Sequence, residues 1–521
     1  MRRSDRRPLS PAVVMVILIY AVLAPMLINS GIADNGDFSR SMQWFIEKPA
    51  AFPTNWPSDD ATWDRRFTKF WIDEWTLKPD ATPAGMESRS SAQILNMAGI
   101  AANAVAATIT GSTDYSLRIA SIPSRIVQVA AFAGLAVIFY AATASAALTF
   151  GTMFFVSAVL LDVSYQAFFN SFYEERASLL YLTVLIPATA MAFRTAGGWG
   201  WKLLFSAALA LFAASKAQFA PTPAILLAVF LVHAGISAFP GLSRRGLLAL
   251  TGLFLVPQVI ALAATSGYEF RNVNAYNATF LGALTFSEDP ALHLEAFPPD
   301  AARCIGINAF VPGTCFTELG ELTSHGKVVS IYLNDLPAMA AAIRFASGSM
   351  QDIALDAYGK THLDGLVTPV FEPALWTGIK GLLPAGLGFY VLALAISGAL
   401  LPISRVAGLR AFALAAQFLS TIGVSQTVIT VAGDGRAEIA KHLLVANFAF
   451  DLALVLTAGL LVHAVAVRSP AGKAFSRRLT PVKGGRGGRA DGVASLRHRQ
   501  EPRPCLPPLP PSAPPSAPPS A

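Results

Sequence analysis

The sequence predicts an all-α integral membrane protein with about ten transmembrane helices and two large extracytoplasmic loops. Hydrophobic residues make up 54% of the chain, charged residues only 14%, and the mean hydropathy is +0.50. A soluble core cannot hide so much apolar surface, so the chain needs lipid as its solvent. Apolar runs of about membrane thickness also recur along the chain, separated by short loops that contain arginine and lysine.

A window of membrane thickness identifies the apolar runs that we interpret as spans. They are residues 11–30, 123–141, 144–161, 177–193, 202–215, 219–236, 247–265, 385–403, 411–431 and 443–467. The first run follows a basic N-terminus, residues 1–10, and is interpreted as a retained anchor because it is long for a signal peptide. Together the runs give a polytopic membrane domain over residues 11–467.

The basic residues of the short loops set the predicted orientation, because cytoplasmic loops are rich in arginine and lysine. Both termini are Arg-rich and are placed in the cytoplasm, as an even number of spans requires. Loops of about 31–122 and 266–384 then face outward and are predicted to cover a membrane-embedded cavity. The run Ala92–Thr110 is predicted to lie on the membrane surface. The fifth and sixth runs form a hairpin with its tip at Ser215–Pro223.

The net charge of +7 arises in the C-terminal tail, residues 468–521, where ten Lys or Arg face only Asp491 and Glu501. A basic excess confined to one tail beside a membrane is typical of cytoplasmic anchoring, and it does not predict nucleic-acid binding. The lipid bilayer is the predicted partner. From about Pro481 the tail is rich in Gly, Arg and Pro, which predicts a disordered segment.

The cysteines predict one disulfide. Cys304 and Cys315 lie close together in the second outward loop, whereas Cys505 lies in the tail. Because extracytoplasmic compartments are oxidising, Cys304 and Cys315 are predicted to be bonded, with two unpaired thiols as the alternative.

Polar residues crowd the predicted outer surface at four places, and ionisable groups at that depth are costly and usually functional. The clusters are Asp34-Asn35-Gly36-Asp37-Phe38-Ser39-Arg40, the stretch from Asp162 to Arg176, the tip Ser215-Lys216-Ala217-Gln218, and Asp434-Gly435-Arg436-Ala437-Glu438 with Lys441 and His442. Lys216 has an alternative role as a lysine that snorkels to the interface. Asp451, well inside the last span, must face the bundle interior or a partner.

The layout of these polar residues resembles that of the membrane-embedded GT-C glycosyltransferases over the whole membrane portion. It consists of a carboxylate after the first span, a second acidic stretch and basic residues at the outer surface. More narrowly, four motifs resemble those of the hexose transferases of bacterial cell-surface glycan biosynthesis. They are Asn35-Gly36-Asp37-Phe38 with Arg40, Asn170-Ser171-Phe172-Tyr173-Glu174, Ser215-Lys216-Ala217-Gln218, and Asp434-Gly435 with Lys441-His442.

This resemblance implies transfer of a sugar, a hexose, from a polyprenyl-phosphate carrier to an acceptor hydroxyl of a glycan, lipid or protein outside the membrane, with inversion. Asp37 is then the base that takes the acceptor's proton, and Glu174 and Glu175 are the other catalytic carboxylates. Lys216, with Arg436 or Lys441, would offset the charge of the leaving phosphate. The implied substrate-binding residues are Asn35, Arg40, Asn170, Tyr173, Arg176, Lys216, Gln218, Arg436, Lys441 and His442.

A divalent metal shared between Asp37 and Glu174 or Glu175 stays open, but no metal site is predicted. Two scattered carboxylates without a histidine cluster are a weak ligand set. In addition, Asn35 and Gly36 stand where many GT-C members have a second acidic residue beside the base.

Two other classes stay open. A flippase or secondary transporter for lipid-linked glycans would place charge in a similar bundle, but it should contain an internal repeat, and the sequence contains no second copy of the first-half motifs. A lipid-linked glycan polymerase or ligase differs in its donor, an oligosaccharide on diphosphate. The Walker and Rossmann glycine motifs are absent from the sequence, which argues against a soluble nucleotide-sugar site.

The orientation can be tested with reporter fusions. Fusions near Asp60 and Pro312 should report an external position, because both lie in the predicted outward loops. Cytoplasmic signals are expected from fusions after Arg7, Gly197, Ser243, Val406 and Arg478. A cytoplasmic signal from Asp60 would place the candidate site on the opposite side of the membrane.

Overall fold

A computed structural model describes most of the chain up to Arg468. The described residues are 8–29, 37–49, 73–82, 89–194, 198–237, 244–267, 270–311, 313–351, 353, 373–406 and 408–468. The chain divides into two units, Met1–Ser469 and Pro470–Ala521. The second unit lies outside the described residues, so the disorder predicted for the tail stays a prediction.

Helices form most of the described structure. The first half contains α1 (Pro11–Met26), α2 (Phe38–Ser41), α3 (Ala92–Thr110), α4 (Leu117–Thr143), α5 (Ala146–Leu161), α6 (Val163–Gln166), α7 (Glu175–Ala192), α8 (Trp199–Ala213) and α9 (Thr222–Ser237). The second half contains α10 (Arg244–Thr265), α11 (Arg271–Tyr276), α12 (Leu284–Phe286), α13 (Thr314–Leu319), α14 (His325–Asn334), α15 (Leu336–Gly348), α16 (Leu375–Lys380), α17 (Leu387–Ile403), α18 (Arg410–Asp434) and α19 (Ile439–Arg468). A π-helical segment, Asn277–Ala283, joins α11 to α12.

Each apolar run identified in the sequence coincides with a helix. However, fewer than ten of these helices are long and apolar enough to be recognised as membrane spans. Among the described residues, six helices are long and apolar enough to cross a membrane, or eight if each of two bent pairs is one span. α1, α8 and α17 are apolar but shorter than the roughly 20 residues that a bilayer requires. The chain is therefore a multi-pass helical membrane protein, whereas the predicted ten spans are not established.

The interior of the bundle is built around α7, α18 and α19, which bury most of their residues. Gly423 of α18 lets the two long C-terminal helices approach closely, because a Cβ atom there would lie 3.1 Å from Cβ of Phe450. Aromatic rings fill the space between α8, α10 and α18, with the centroids of Phe205 and Phe254 5.2 Å apart. Such close packing gives the dispersion contacts that hold helices together in lipid.

The segment before α4 contains a small sheet that the all-α prediction did not include. β1 (Ile46–Pro49), β2 (Glu74–Leu77) and β3 (Tyr115–Ser116) pair in that order, and both pairs are antiparallel. A search for membrane-length apolar runs does not detect strands of two to four residues. Phe38 of α2 stacks on Trp75 of β2 with a centroid distance of 4.6 Å, so the sheet holds α2 against the bundle.

α3 lies against the ends of other helices. The Ser91 backbone N–H, at its start, donates to the carbonyl of Ala214 just after α8. Further along α3, the Asn103 side chain exchanges hydrogen bonds with the Ser116 backbone at the start of α4. By length and composition alone α3 is one of the six candidate spans. Its contacts with helix ends support the predicted position on the membrane surface, which stays a prediction.

A buried ion pair crosses the bundle. Nζ of Lys380, at the end of α16, lies 2.7 Å from Oδ1 of Asp451 in α19 and donates to Asn447. Oδ2 of Asp451 accepts hydrogen bonds from Tyr165 and Trp376, each at 2.6 Å. Side chains of both charged residues are almost fully buried. The interpretation that Asp451 faces the bundle interior is confirmed.

Removing one charge of this pair should destabilise the protein more than removing both. Lys380→Met leaves Asp451 buried and unpaired, so we expect a loss of about 3–5 kcal/mol in the free energy of unfolding. Most of that loss should be recovered in the double variant Lys380→Met/Asp451→Asn, which keeps an acceptor for Tyr165 and Trp376.

Thermal unfolding in detergent measures this difference. Arg303→Met is the control, because Arg303 forms exposed ion pairs with Asp300 and Glu318 that are worth at most about 1 kcal/mol. Equal destabilisation by the single and double variants would show that the pair does not act through its charges.

Candidate functional site

The four polar clusters of the sequence meet at one end of the bundle. Lys216, at the tip after α8, forms an ion pair with Glu175 at the start of α7, and both side chains are buried. Lys441 of α19 pairs with Glu438 and lies 5.1 Å from the centroid of the Tyr173 ring. Asp37 lies within electrostatic range of Lys441. The structure therefore brings together side chains from all four clusters, although they are far apart in sequence.

His442, next to Lys441, forms a second group of contacts. Its ring Nε2 lies 2.9 Å from Oδ2 of Asp434, and its ring Nδ1 lies 3.1 Å from Oε1 of Gln218. Gln218 also donates from Nε2 to the His442 carbonyl at 3.1 Å. Asn277, in the π-helical segment, donates to Oδ1 of Asp434 at 3.1 Å. These bonds join the tip after α8, α18, α19 and the π-helical segment.

A cavity of about 320 Å³ lies beside this second group. Its polar lining combines residues of the predicted clusters with residues that the sequence analysis did not select. The lining side chains are Lys216, Gln218, Thr265, Arg271, Asn274, His325, Thr430, Asp434 and His442, with Ala217, Pro221, Ile429 and Gly433. A concave space that combines apolar walls with a few polar groups is typical of a small-molecule site.

Two residues that interact with Lys441, Asp37 and Glu438, have a strained backbone. Asp37 has φ +61° and Glu438 has φ +42°, a left-handed conformation that side chains with a Cβ rarely adopt. Gly36, which precedes Asp37 in the first cluster, lies outside the described residues. Strained residues persist where surrounding structure fixes them, and they concentrate at functional sites.

Glu438 is held in its charged form. Loss of hydration at this half-exposed carboxyl would raise its pKa, but the ammonium of Lys441 holds the pKa below its usual range. The Asp37 carboxylate acts in the opposite direction. Lys441 thus interacts with two carboxylates from different loops.

A hydrogen-bonded chain connects α7 to the segment that carries Asp37. The Arg176 guanidinium donates to Oδ1 of Asn96 in α3, and Asn96 and Gln93 donate to the carbonyl of Ser41. The Ser41 hydroxyl donates to the Asp37 carbonyl at 2.7 Å. Arg176, predicted to bind substrate, is fully buried in this chain and positions the Asp37 loop.

Other predicted binding residues have different surroundings. Asn170 accepts a hydrogen bond from Arg125 at 2.9 Å and donates to backbone carbonyls of the Leu27–Asn29 turn, so its amide stabilises a buried arginine. Arg436 lies 4.9 Å from the centroid of the Phe345 ring and does not line the cavity. Glu174 directly precedes α7, and its side chain is buried. Asn35 and the side chain of Arg40 lie outside the described residues.

The predicted disulfide between Cys304 and Cys315 is confirmed. It lies in the loop segment that packs on the π-helical residues, where Tyr276 stacks on Phe280 and Phe297 contacts Phe280 edge-on. Within the described ranges, no three His, Cys, Asp or Glu side chains form a group that could hold a metal ion.

The fold and the site together define a multi-pass helical membrane protein with a polar cavity at one end of its bundle. The chain belongs to the family described as the YfdI N-terminal transmembrane domain, whose sequence model matches residues 1–478. It is similar to the "Uncharacterized protein YfdI" of Escherichia coli (strain K12), with 21% identity over 343 residues, or 62% of this chain and 71% of the relative. No solved structure matches the chain significantly.

Close backbone contact between two glycines fixes Asp434 beside Asn277. A Cβ atom on Gly282 would lie 2.8 Å from Cα of Gly435, so Gly282→Ala must push the π-helical segment away from α18. We expect a loss of about 1–3 kcal/mol, the usual cost of overpacking. Gly252→Ala in α10 is the matched control, because its Cβ would meet nothing within 4 Å. Thermal unfolding in detergent measures both, and equal stability of the two variants would contradict this packing.

Proposed function

We propose that this protein is an inverting glycosyltransferase of the cell membrane, similar to the GT-C enzymes. It would transfer a hexose from a polyprenyl-phosphate carrier to an acceptor hydroxyl on the outer face during cell-surface glycan assembly. The observation that carries this proposal is the convergence of Asp37 and Lys441 with Lys216 and His442 at one end of an apolar bundle, where Lys216 and His442 line a cavity. A lipid-linked substrate needs this combination, because its tail stays in lipid while its phosphate and sugar reach a polar site.

Asp37 is the proposed general base. An acceptor hydroxyl is a poor nucleophile until a positioned carboxylate takes its proton. Asp37 is partly exposed and is fixed by the Ser41 hydrogen bonds, whereas Glu175 is buried and neutralised by Lys216. An acceptor hydroxyl can reach a partly exposed carboxylate more readily than a buried one, so Asp37 suits this role better than Glu175.

The cavity suits an anionic group. Lys216, Arg271 and His325 line it, and Arg271 is exposed on its rim. The departing polyprenyl phosphate gains negative charge in the transition state, and positioned cations stabilise that charge. Lys216 is nearly buried and bound to Glu175, which favours a role in the site over snorkelling to the interface.

Glu175 offers one further contact. Its Oε1 binds Lys216, while its Oε2 is buried without a hydrogen-bond partner among the described residues. A buried acceptor of this kind is costly unless a ligand satisfies it. In this proposal a sugar hydroxyl donates to Oε2 of Glu175.

The proposal includes the predicted topology. Both termini lie in the cytoplasm and the site faces outward, so the short helices α1, α8 and α17 also cross the membrane, at the cost of local thinning of the bilayer. The lipid donor and the glycan, lipid or protein acceptor would both meet the cavity from the outer leaflet.

Asp37→Asn is the direct test of the base. This change keeps the shape of the side chain but removes the proton acceptor, so transfer should fall by about 10²–10⁴-fold. The variant should still insert normally and bind the lipid donor. Purified protein is incubated with a panel of radiolabelled polyprenyl-phosphate sugars and glycan acceptors, and labelled product is measured.

Asp300→Asn is the matched control, because Asp300 is exposed and forms a surface ion pair with Arg303. It should transfer sugar at the wild-type rate, and Asp34→Asn should have a milder effect than Asp37→Asn. Near wild-type transfer by Asp37→Asn would remove Asp37 as the base. If the wild-type protein uses only oligosaccharides on diphosphate, the protein is instead a polymerase or ligase.

A further inference from the structure

Gln218 determines which nitrogen of the His442 ring carries a proton. The His442 carbonyl can only accept, so the Gln218 amide must turn its Nε2 toward it, at 3.1 Å. The Gln218 Oε1 then faces Nδ1 of the ring at 3.1 Å. An amide oxygen is an acceptor only, and therefore Nδ1 carries a hydrogen and donates it.

In the same way, Asn277 determines which oxygen of the Asp434 carboxyl can carry a proton. The Asn277 Oδ1 accepts from the backbone N–H of Ala309 at 2.9 Å, which leaves its Nδ2 to donate to Oδ1 of Asp434. That oxygen of Asp434 is an acceptor. Any proton on the carboxyl therefore lies on Oδ2, which is 2.9 Å from Nε2 of His442.

The contact between Oδ2 of Asp434 and Nε2 of His442 must contain a proton. Without one, two lone pairs would face each other at 2.9 Å in a buried site. Since Nδ1 already carries a hydrogen, the pair is either an imidazolium beside a carboxylate or a neutral imidazole beside a carboxylic acid. In both forms the pair is neutral overall and holds one proton that can be released.

Burial favours the neutral form, because the carboxylate and the imidazolium would both lose their hydration in this site. Lys216 and Lys441 repel an imidazolium but attract the Asp434 carboxylate, so their effects on the two members of the pair oppose each other. Glu175 and Glu438 also act on the ring, but each is already paired with one of these lysines. The remaining charged or titratable neighbours of Asp434 are Lys216, Lys441 and His325.

Both members of this pair line the cavity. Beside them, Oγ1 of Thr430 is buried without a hydrogen-bond partner among the described residues, so the cavity wall has an unused polar atom. A phosphate oxygen in the cavity could accept from this hydroxyl and from the Asp434–His442 pair.

We infer that Asp434 and His442 hold a shared proton and transfer it to the leaving phosphate, an inference that rests on the proposed function. The acceptor oxygen forms a bond to the anomeric carbon while the bond from that carbon to the phosphate oxygen breaks. Asp37 takes the acceptor's proton, and the pair gives its own proton to the departing phosphate monoester. The pair is then an imidazole beside a carboxylate, and a proton from Asp37, through solvent, restores it.

Asp434→Asn tests this inference sharply. The asparagine amide can still accept from Asn277 and donate to Nε2 of His442, so it imitates the protonated carboxyl. It cannot give up that proton, and we expect kcat to fall by about 10²–10⁴-fold with KM for the lipid donor nearly unchanged. Wild-type kcat should decrease at high pH, where the pair loses its proton, and this decrease should be absent from the variant.

Asp335→Asn is the matched control, because Asp335 forms another Asp–His contact, with His293, that does not line the cavity. It should leave kcat and its pH profile unchanged. Infrared difference spectra of wild type against Asp434→Asn supply a measurement that does not depend on activity. The carbonyl stretch of a protonated carboxyl should be present in the wild type and absent from the variant.

The outcomes separate this inference from the proposed function. Active wild-type protein together with near wild-type kcat and an unchanged pH profile in Asp434→Asn would overturn the proton transfer alone. A wild-type protein that transfers no sugar from any polyprenyl-phosphate donor would overturn the proposed function, whereas the infrared result would still decide whether the pair holds a proton. Absence of the protonated-carboxyl band, with an imidazolium signal in its place, would assign the proton to His442.

Discussion

Charges buried in an apolar bundle must be neutralised, and this constraint shapes the described structure. Water is not present to solvate them, so each needs a partner charge or a full set of hydrogen bonds. Asp451 has Lys380, and Glu175 has Lys216. Arg125 has a set of hydrogen bonds in place of a partner charge. Its guanidinium donates to the amide oxygens of Gln166 and Asn170 and to the backbone carbonyls of Ala24 and Leu27. Each solution joins segments that are far apart in sequence.

The Asp451 network and the cavity differ in what can reach their polar atoms. Both carboxylate oxygens of Asp451 accept hydrogen bonds, which is expected of a group that holds helices together. In the same network, Nδ2 of Asn447 is buried without a partner among the described residues, so an unsatisfied atom does not by itself mark a ligand site. Oγ1 of Thr430 is also unsatisfied, but Thr430 lines the cavity, where a ligand can supply the missing partner.

The sequence could predict the features that depend on local composition. Each apolar run became a helix, Cys304 and Cys315 form a disulfide, and the clusters around Asp37, Glu175, Lys216 and Lys441 meet. These results follow from hydrophobic length and from the tendency of ionisable groups to gather where lipid ends.

Features that depend on pairing over long distances were missed. Lys380 and Asp451 are 71 residues apart, and a single sequence contains no signal that matches one charge with the other. Arg271 and His325 also stand alone in a polar loop, without a motif around them. The small sheet was missed because its strands are too short for a hydrophobic pattern, and Asn277 because its role is to orient another side chain.

α19 explains how structure and site depend on each other. Nine residues separate His442 from Asp451, which is two and a half turns of helix, so the two side chains leave opposite faces at depths roughly 14 Å apart. His442 is held by Gln218 and Asp434 on one face, and Asp451 by Lys380, Tyr165 and Trp376 on the other. Because α19 is bonded on two opposite faces at two depths, it cannot rotate or slide without breaking a buried polar contact. The deep ion pair therefore fixes the positions of Lys441 and His442, although it lies far along α19 from the cavity that His442 lines.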